Sequence, residues 1–206
     1  GETFHSLSFR RAIELSKNLK RPILTDYKIY PLAVSAKEIS QLINKNCYVK
    51  PKNGPWNDDT QSRFLVSLVA LNKAVKKFGI NHAISFHSSL SKAEAFQKSQ
   101  ELFIKKYVKY AKTQNFFISG KYTSSERNRI LEDYGSSDLA LITNARCLTE
   151  GVDVPNIDCV LFVDPKSSKI DIVQALGRAL RYHKGKKLGY VILPIVINRI
   201  DDTRND

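Results

Sequence analysis

Residues 143–155 read TNARCLTEGVDVP and residues 174–181 read QALGRALR, and the order of these two stretches decides how the remaining sequence is read. The first follows the apolar run Leu139-Ala140-Leu141-Ile142, and the second follows the run Val160-Leu161-Phe162-Val163. Runs of this length are those of strands buried on both faces. Gln174, Arg178 and Arg181 are spaced four and three apart, so on a helix they share one face, from which Gly177 removes bulk. Two guanidiniums beside an amide suit a phosphate, because each offers a permanent charge and forked donors. Surface ion pairing is the plainer alternative for two arginines on a helix.

Working outward, further short apolar runs occur at Ala83-Ile84-Ser85-Phe86, Phe116-Phe117-Ile118 and Tyr190-Val191-Ile192-Leu193. Helical candidates separate them: Ser89 to Tyr110, Thr123 to Tyr134 and Ile170 to Tyr182. This alternation predicts an α/β fold with a parallel sheet covered by helices. In the first of these helices Phe96, Phe103, Tyr107 and Tyr110 make an apolar stripe. Lys98, Lys105, Lys109 and Lys112 make a second stripe, read as a solvated face. Upstream, Leu24 to Val34 reads as a strand ending near Pro31, and residues 44–59 read as a loop broken by Pro, Gly and Asn. Asp59 and Thr60 then cap a helix carrying Phe64, Leu68, Leu71, Val75 and Phe78 and stopping at Gly79.

Composition limits the class of protein. The 206 residues carry 33 Lys and Arg against 20 Asp and Glu, a formal net charge of +13. A hydrophobic fraction of 42%, with 10 Phe and 9 Tyr, is enough to build a core and argues against disorder. The charge points to a polyanionic partner. Three cysteines, Cys47, Cys147 and Cys159, form no CxxC and have no histidine at ligand spacing. That predicts neither a disulfide framework nor a metal site, and a reducing cytoplasmic setting. His82 and His87 read as packing or solvated residues. No apolar run reaches a membrane span, and residues 1–20 lack the apolar block of a signal peptide. The chain opens on Gly1 and contains no Met, which fits a piece excised from a longer protein.

QxxGRxxR one strand after TxxxxxxEGxDxP resembles motifs VI and V of superfamily 2 helicases and translocases. Ile84-Ser85-Phe86-His87-Ser88-Ser89 is similar to motif IV of that family. Ile118-Ser119-Gly120 followed by Ser124-Ser125-Glu126-Arg127 is similar to its strand-Gly segment and the next helix. SFRRAIELSKNLKRPILTDYKIYPLAV, and Val163-Asp164-Pro165 through Ser168 to Val173, resemble the restriction-type branch. Glu150 departs from the Arg of the DEAD-box branch and favours restriction-type or repair-type relatives.

The resemblance implies the second, C-terminal RecA-like domain, a P-loop NTPase-type parallel sheet flanked by helices. Residues 1–23 are then a connector from a first RecA-like domain, 24–197 the domain itself and 198–206 an exit tail. No GxxxxGK[ST] loop and no DEAD-like acidic box occurs in the sequence. The family keeps those elements in the first domain, so ATP and Mg²⁺ are expected to be held mainly there. By resemblance Arg178 and Arg181 reach the γ-phosphate across the domain cleft, Gln174 orients that phosphate or a water, and Gly151 and Asp153 approach the nucleotide. Ser88, Ser89, Ser119, Gly120, Thr143 and Asn144, expected just past strand ends, would contact the phosphates of a nucleic acid, DNA first. Bland alternatives stand beside these: a helix cap for Ser88 and Ser89, and a Gly-Asp turn before Pro155; Trp56 could stack on a base but is read first as a loop anchor. Two other functions remain open at this level: a stand-alone nucleic-acid-binding module, and a doubly wound small-molecule enzyme with a coincidental QxxGRxxR.

Overall fold

The computed structural model describes residues 9–20, 22–46, 48–52, 57–106, 112–144, 154, 156–164, 172, 175–178, 181–183 and 185–197. Its elements are α1 (Phe9–Lys17), β1 (Asp26–Ser35), α2 (Ala36–Asn44), α3 (Asp58–Phe78), β2 (His82–Phe86) and α4 (Leu90–Lys106). They continue with β3 (Gln114–Ile118), α5 (Ser124–Ser136), β4 (Ala140–Asn144), β5 (Cys159–Phe162) and β6 (Leu188–Ile197). Ile172 and residues 175–178 are also helical.

All six strands are parallel and lie in the order β1-β6-β5-β2-β4-β3. Alternation along the central strands sends side chains to two cores. Ala83, Leu141, Cys159 and Leu161 pack with Phe64, Leu68, Phe96 and Phe103 under α3 and α4. Ile84, Phe86, Ile142 and Val160 pack with Leu131, Tyr134 and Ala175 on the other face. Every residue of β2 and β4 is buried, which is why those runs are largely apolar. β3 was expected to be covered on both faces, yet it is an edge strand and only Ile118 is buried.

Helix ends follow side-chain chemistry. Thr123 and Glu126 form a reciprocal capping box at the start of α5. The predicted cap of α3 shifts: Asn57 Oδ1 accepts from the Thr60 amide at 2.9 Å and from Thr60 Oγ1 at 2.8 Å. Asp58 and Asp59 thereby fall in the first turn, where a carboxylate faces the positive end of the helix dipole. Gly79 closes α3 in the left-handed region, φ +65°, as expected of a glycine stop.

Two expectations upstream are corrected. β1 does not end near Pro31 but runs through it to Ser35, because as an edge strand it has β6 as its sole neighbour in the sheet and loses no interior ladder bond. Residues 36–43, unassigned from the sequence, together with Asn44, read there as the start of a loop, form α2, whose N-cap Ser35 accepts from the Glu38 amide at 3.2 Å. In the predicted stripes, Phe96 and Phe103 are fully buried and Lys98 pairs with Glu94 on the solvated face at 3.0 Å. Tyr107, Lys109 and Tyr110 lie outside the described residues.

Candidate nucleotide and nucleic-acid site

Strand register places the candidate site at one edge of the sheet. Phe86, Ile118 and Asn144 end β2, β3 and β4 in alignment, and Phe86 is also paired with Phe162 at the end of β5. The segments that leave these strands therefore share the carboxyl edge, where open α/β sheets bind ligands.

Asp164 organises that edge. It is almost fully buried two residues beyond β5, and its Oδ2 accepts from both the amide and the hydroxyl of Ser88, each at 2.8 Å. Lys92 Nζ approaches Oδ1 at 3.4 Å from the first turn of α4. Burial alone would raise the carboxyl's pKa, but the two Ser88 hydrogen bonds and the charges of Lys92 and His87 outweigh it and hold it below the ordinary value. Asp164 was quoted in the sequence only as part of a family-like stretch, not as a site residue. A carboxylate immediately after a buried strand was the signal for it.

The predicted nucleic-acid contacts divide into four groups. Ser88 gives its amide and hydroxyl to Asp164. Ser89 Oγ accepts from the Lys92 amide at 3.2 Å and so caps α4. Ser119 Oγ accepts from the Lys121 amide at 3.2 Å, and Gly120 follows on an exposed turn with open space where a Cβ would stand. Thr143 and Asn144 differ from expectation: they are the last two residues of β4 rather than residues past it, and both are fully buried. The alternating run simply extends two residues further than its apolar character does. Among the described residues Thr143 Oγ1 has no hydrogen-bond partner, and the Asn144 carbonyl accepts from the His87 amide at 3.0 Å.

Both histidines pack, as expected. His82 Nε2 meets the Tyr134 carbonyl at 3.1 Å, and buried His87 meets Ser85 Oγ at 3.1 Å while its ring tilts against Phe96. Cys159 is free and buried, and burial, with Asp158 next, pushes its thiol far up. Among the described residues no group of His, Cys, Asp or Glu could hold a metal ion, and no helix is long and apolar enough to cross a membrane.

Arg178 is helical and half-buried, but the helix expected to run to Tyr182 does not include Arg181, which is exposed and drawn into a backbone bridge instead. The Arg181 amide donates to the Arg178 carbonyl at 3.2 Å, and Arg181 forms an antiparallel bridge with Leu24. The Lys186 ammonium, also missed in the sequence, is buried and donates to the carbonyls of Arg181 at 3.0 Å and Ile157 at 2.6 Å. Burial lowers its pKa to about 8, with Asp158 opposing that shift. Gln174, Gly151 and Asp153, like Trp56, lie outside the described residues.

Comparison with known proteins bears on the family and the fold. The family model described as the helicase conserved C-terminal domain matches residues 68–183, more than half of the chain and a span containing Arg178 and Arg181. A candidate ATP-dependent helicase of Saccharomyces cerevisiae, IRC3, is 32% identical over 76 residues, 37% of this chain and 11% of that protein. A candidate mitochondrial ATP-dependent helicase of Schizosaccharomyces pombe, irc3, is 40% identical over 70 residues, 34% of this chain and 12% of its own. Among solved structures, the ATP-dependent Type ISP restriction-modification enzyme LlaBIII bound to DNA superposes with a TM-score of 0.71 at 28% identity. It covers 95% of this chain, which spans 13% of the LlaBIII chain. The alignments thus span a small fraction of each of these proteins. A six-stranded parallel RecA-like sheet and a family-model match over more than half of the chain place it in the helicase conserved C-terminal domain family of superfamily 2.

Proposed function

We propose that the chain is the second motor domain of an ATP-dependent DNA helicase or translocase of the restriction type. It would supply Arg178, Arg181 and Gln174 to ATP bound by a first RecA-like domain. The observation that carries this reading is the pair Arg178 and Arg181, three residues apart, the first helical and the second with its backbone tied to Leu24 and Lys186. Two guanidiniums fit a triphosphate, since their charge is permanent and their forks match its oxygens. When bound, ATP supplies the phosphoryl group that is transferred. Arg178 and Arg181 donate to its oxygens and stabilise the charge that grows on them, an effect worth about 10³–10⁵ in rate where measured. Gln174 orients the same phosphate or an attacking water, and Gly151 and Asp153 line the nucleotide's approach. The described residues offer no cluster for Mg²⁺, which is assigned to the first domain.

Nucleic acid is placed along the carboxyl edge, and DNA is favoured because LlaBIII, similar over nearly all of this chain, was solved bound to DNA. Gly120 and the exposed turn around it are the open contact points, whereas Ser88 and Ser89 set the local frame. The cytoplasm is the proposed compartment; recovery of the protein with mitochondria, for which the S. pombe relative is named, would contradict that placement.

The experiment is an ATPase assay on the isolated chain with and without DNA. Its sequence lacks a phosphate-cradling GxxxxGK[ST] loop, so no turnover is expected. Turnover that survives purification and is abolished by Arg178→Ala would contradict the division of labour.

A further inference from the structure

Arg181 sits at the meeting point of two connections beyond the helical residues 175–178. Leu24 forms an antiparallel bridge with it, and the adjacent Tyr182 amide donates to the Ile23 carbonyl at 2.8 Å. The strap formed by Ile23 and Leu24 is itself pinned by one hydroxyl. Ser16 Oγ, buried on α1, accepts from the Ile23 amide at 2.7 Å and the Leu24 amide at 2.8 Å, and donates to the Leu24 carbonyl at 3.2 Å. The second connection is the Lys186 ammonium, which spans the carbonyls of Arg181 and Ile157. Ile157 lies just before β5, on the chain that emerges from the EGVDVP stretch.

We infer that Ser16 and Lys186 are positioning residues for Arg181, fixing through two separate backbone connections where its guanidinium is presented. The inference rests on the reading of Arg181 as an arginine finger. A finger acts on charge that develops at one place, so a small displacement removes much of its effect while leaving ground-state binding intact. A hydroxyl that serves two amides and a carbonyl of one strap, and a buried cation shared by two carbonyls, are arrangements that hold a backbone in one place. Ser16 also belongs to the segment expected to arrive from the first domain. A shift of α1 is then passed through Ile23 and Leu24 to Arg181, which makes the connector part of the catalytic arrangement.

The test is made in the full-length protein with Ser16→Ala and Lys186→Met, each alone and combined with Arg181→Ala. The readout is the dissociation constant for ADP with aluminium fluoride, a mimic of the transferring phosphoryl group, beside that for ADP alone. Each single variant is expected to weaken binding of the mimic at least about fivefold and to change ADP affinity less than about twofold. In the Arg181→Ala background the same replacements should cost less than about twofold more, because the residue they position is gone. Unchanged affinity in both variants, while Arg181→Ala weakens the mimic, would overturn the inference and leave the finger standing. Equal losses with and without Arg181 would also overturn it, since they would show an effect on the fold at large. If Arg181→Ala itself leaves the mimic's affinity unchanged, the finger reading fails and this inference fails with it. Two chemically different variants keep the test decisive should one of them not fold.

Discussion

The Asp164 carboxylate accepts both the amide and the hydroxyl of Ser88 at 2.8 Å, and so ties the chain leaving β5 to the chain leaving β2. Its pKa is lowered in the folded state, so the stability it contributes is fully present above the ordinary aspartate value of 3.8 and is lost as pH falls through the lower folded value. Asp164→Asn should cost about 1–3 kcal/mol at neutral pH, because Ser88 and Lys92 lose the anionic acceptor that the buried carboxylate gives them. Thermal melts of both proteins from pH 6 to pH 3 check this. The gap between them should narrow at the acid end, and a gap independent of pH would contradict the assignment.

Much of this edge was legible in the sequence because the central strands are buried on both faces and therefore read as short, mostly apolar runs. Thr143 and Asn144 mark where that signal stops. They are polar but buried in β4, and burial of a polar strand end depends on neighbours that periodicity does not reveal. β1 was cut short at Pro31 because its tolerance there comes from the edge position, a property of strand order rather than of the segment. Ser16 and Lys186 were illegible for a related reason. Their partners are backbone groups of Leu24, Arg181 and Ile157, and a backbone carbonyl leaves no mark in the identity of its residue.

Gly120 separates a contact role from a folding role. A Cβ built there meets nothing within 4 Å, and its φ lies outside the left-handed region. Gly120→Ala should therefore change stability by no more than about 0.5–1 kcal/mol. If its backbone approaches a phosphate, the same change should weaken DNA binding several-fold. Melting and fluorescence anisotropy on one preparation distinguish the two, and unchanged affinity would remove Gly120 from the interface.

Gly79 offers the opposite case. Its φ of +65° closes α3 in a conformation that a Cβ disfavours. Gly79→Ala should cost about 1 kcal/mol despite the open space around it, through backbone strain alone. Chemical denaturation measures this, and a neutral or stabilising change would contradict the cap.

Nucleic-acid binding by this domain should follow its charge. A formal +13 favours release of counterions from each phosphate neutralised, but one domain reaches few of them. The plot of log K against log salt should have a slope of magnitude about 2–4, without sequence preference. Anisotropy titrations with labelled single strand and duplex measure it. Salt-insensitive or sequence-specific binding would contradict contact through the phosphate backbone. Charge removal at Lys105 should change affinity little, because that stripe is read as a solvated face.

The most direct test of the arginine pair is the DNA-stimulated ATPase rate of the full-length protein with Arg178→Ala, Arg181→Ala and the corresponding Lys variants. The alanine variants should each lower kcat by at least about 10³ with a smaller change in KM, because the guanidiniums meet charge that grows in the transition state. Lysine should not restore the rate, since a point charge lacks the fork. Near-normal kcat in both alanine variants would contradict the assignment of Arg178 and Arg181 to the γ-phosphate.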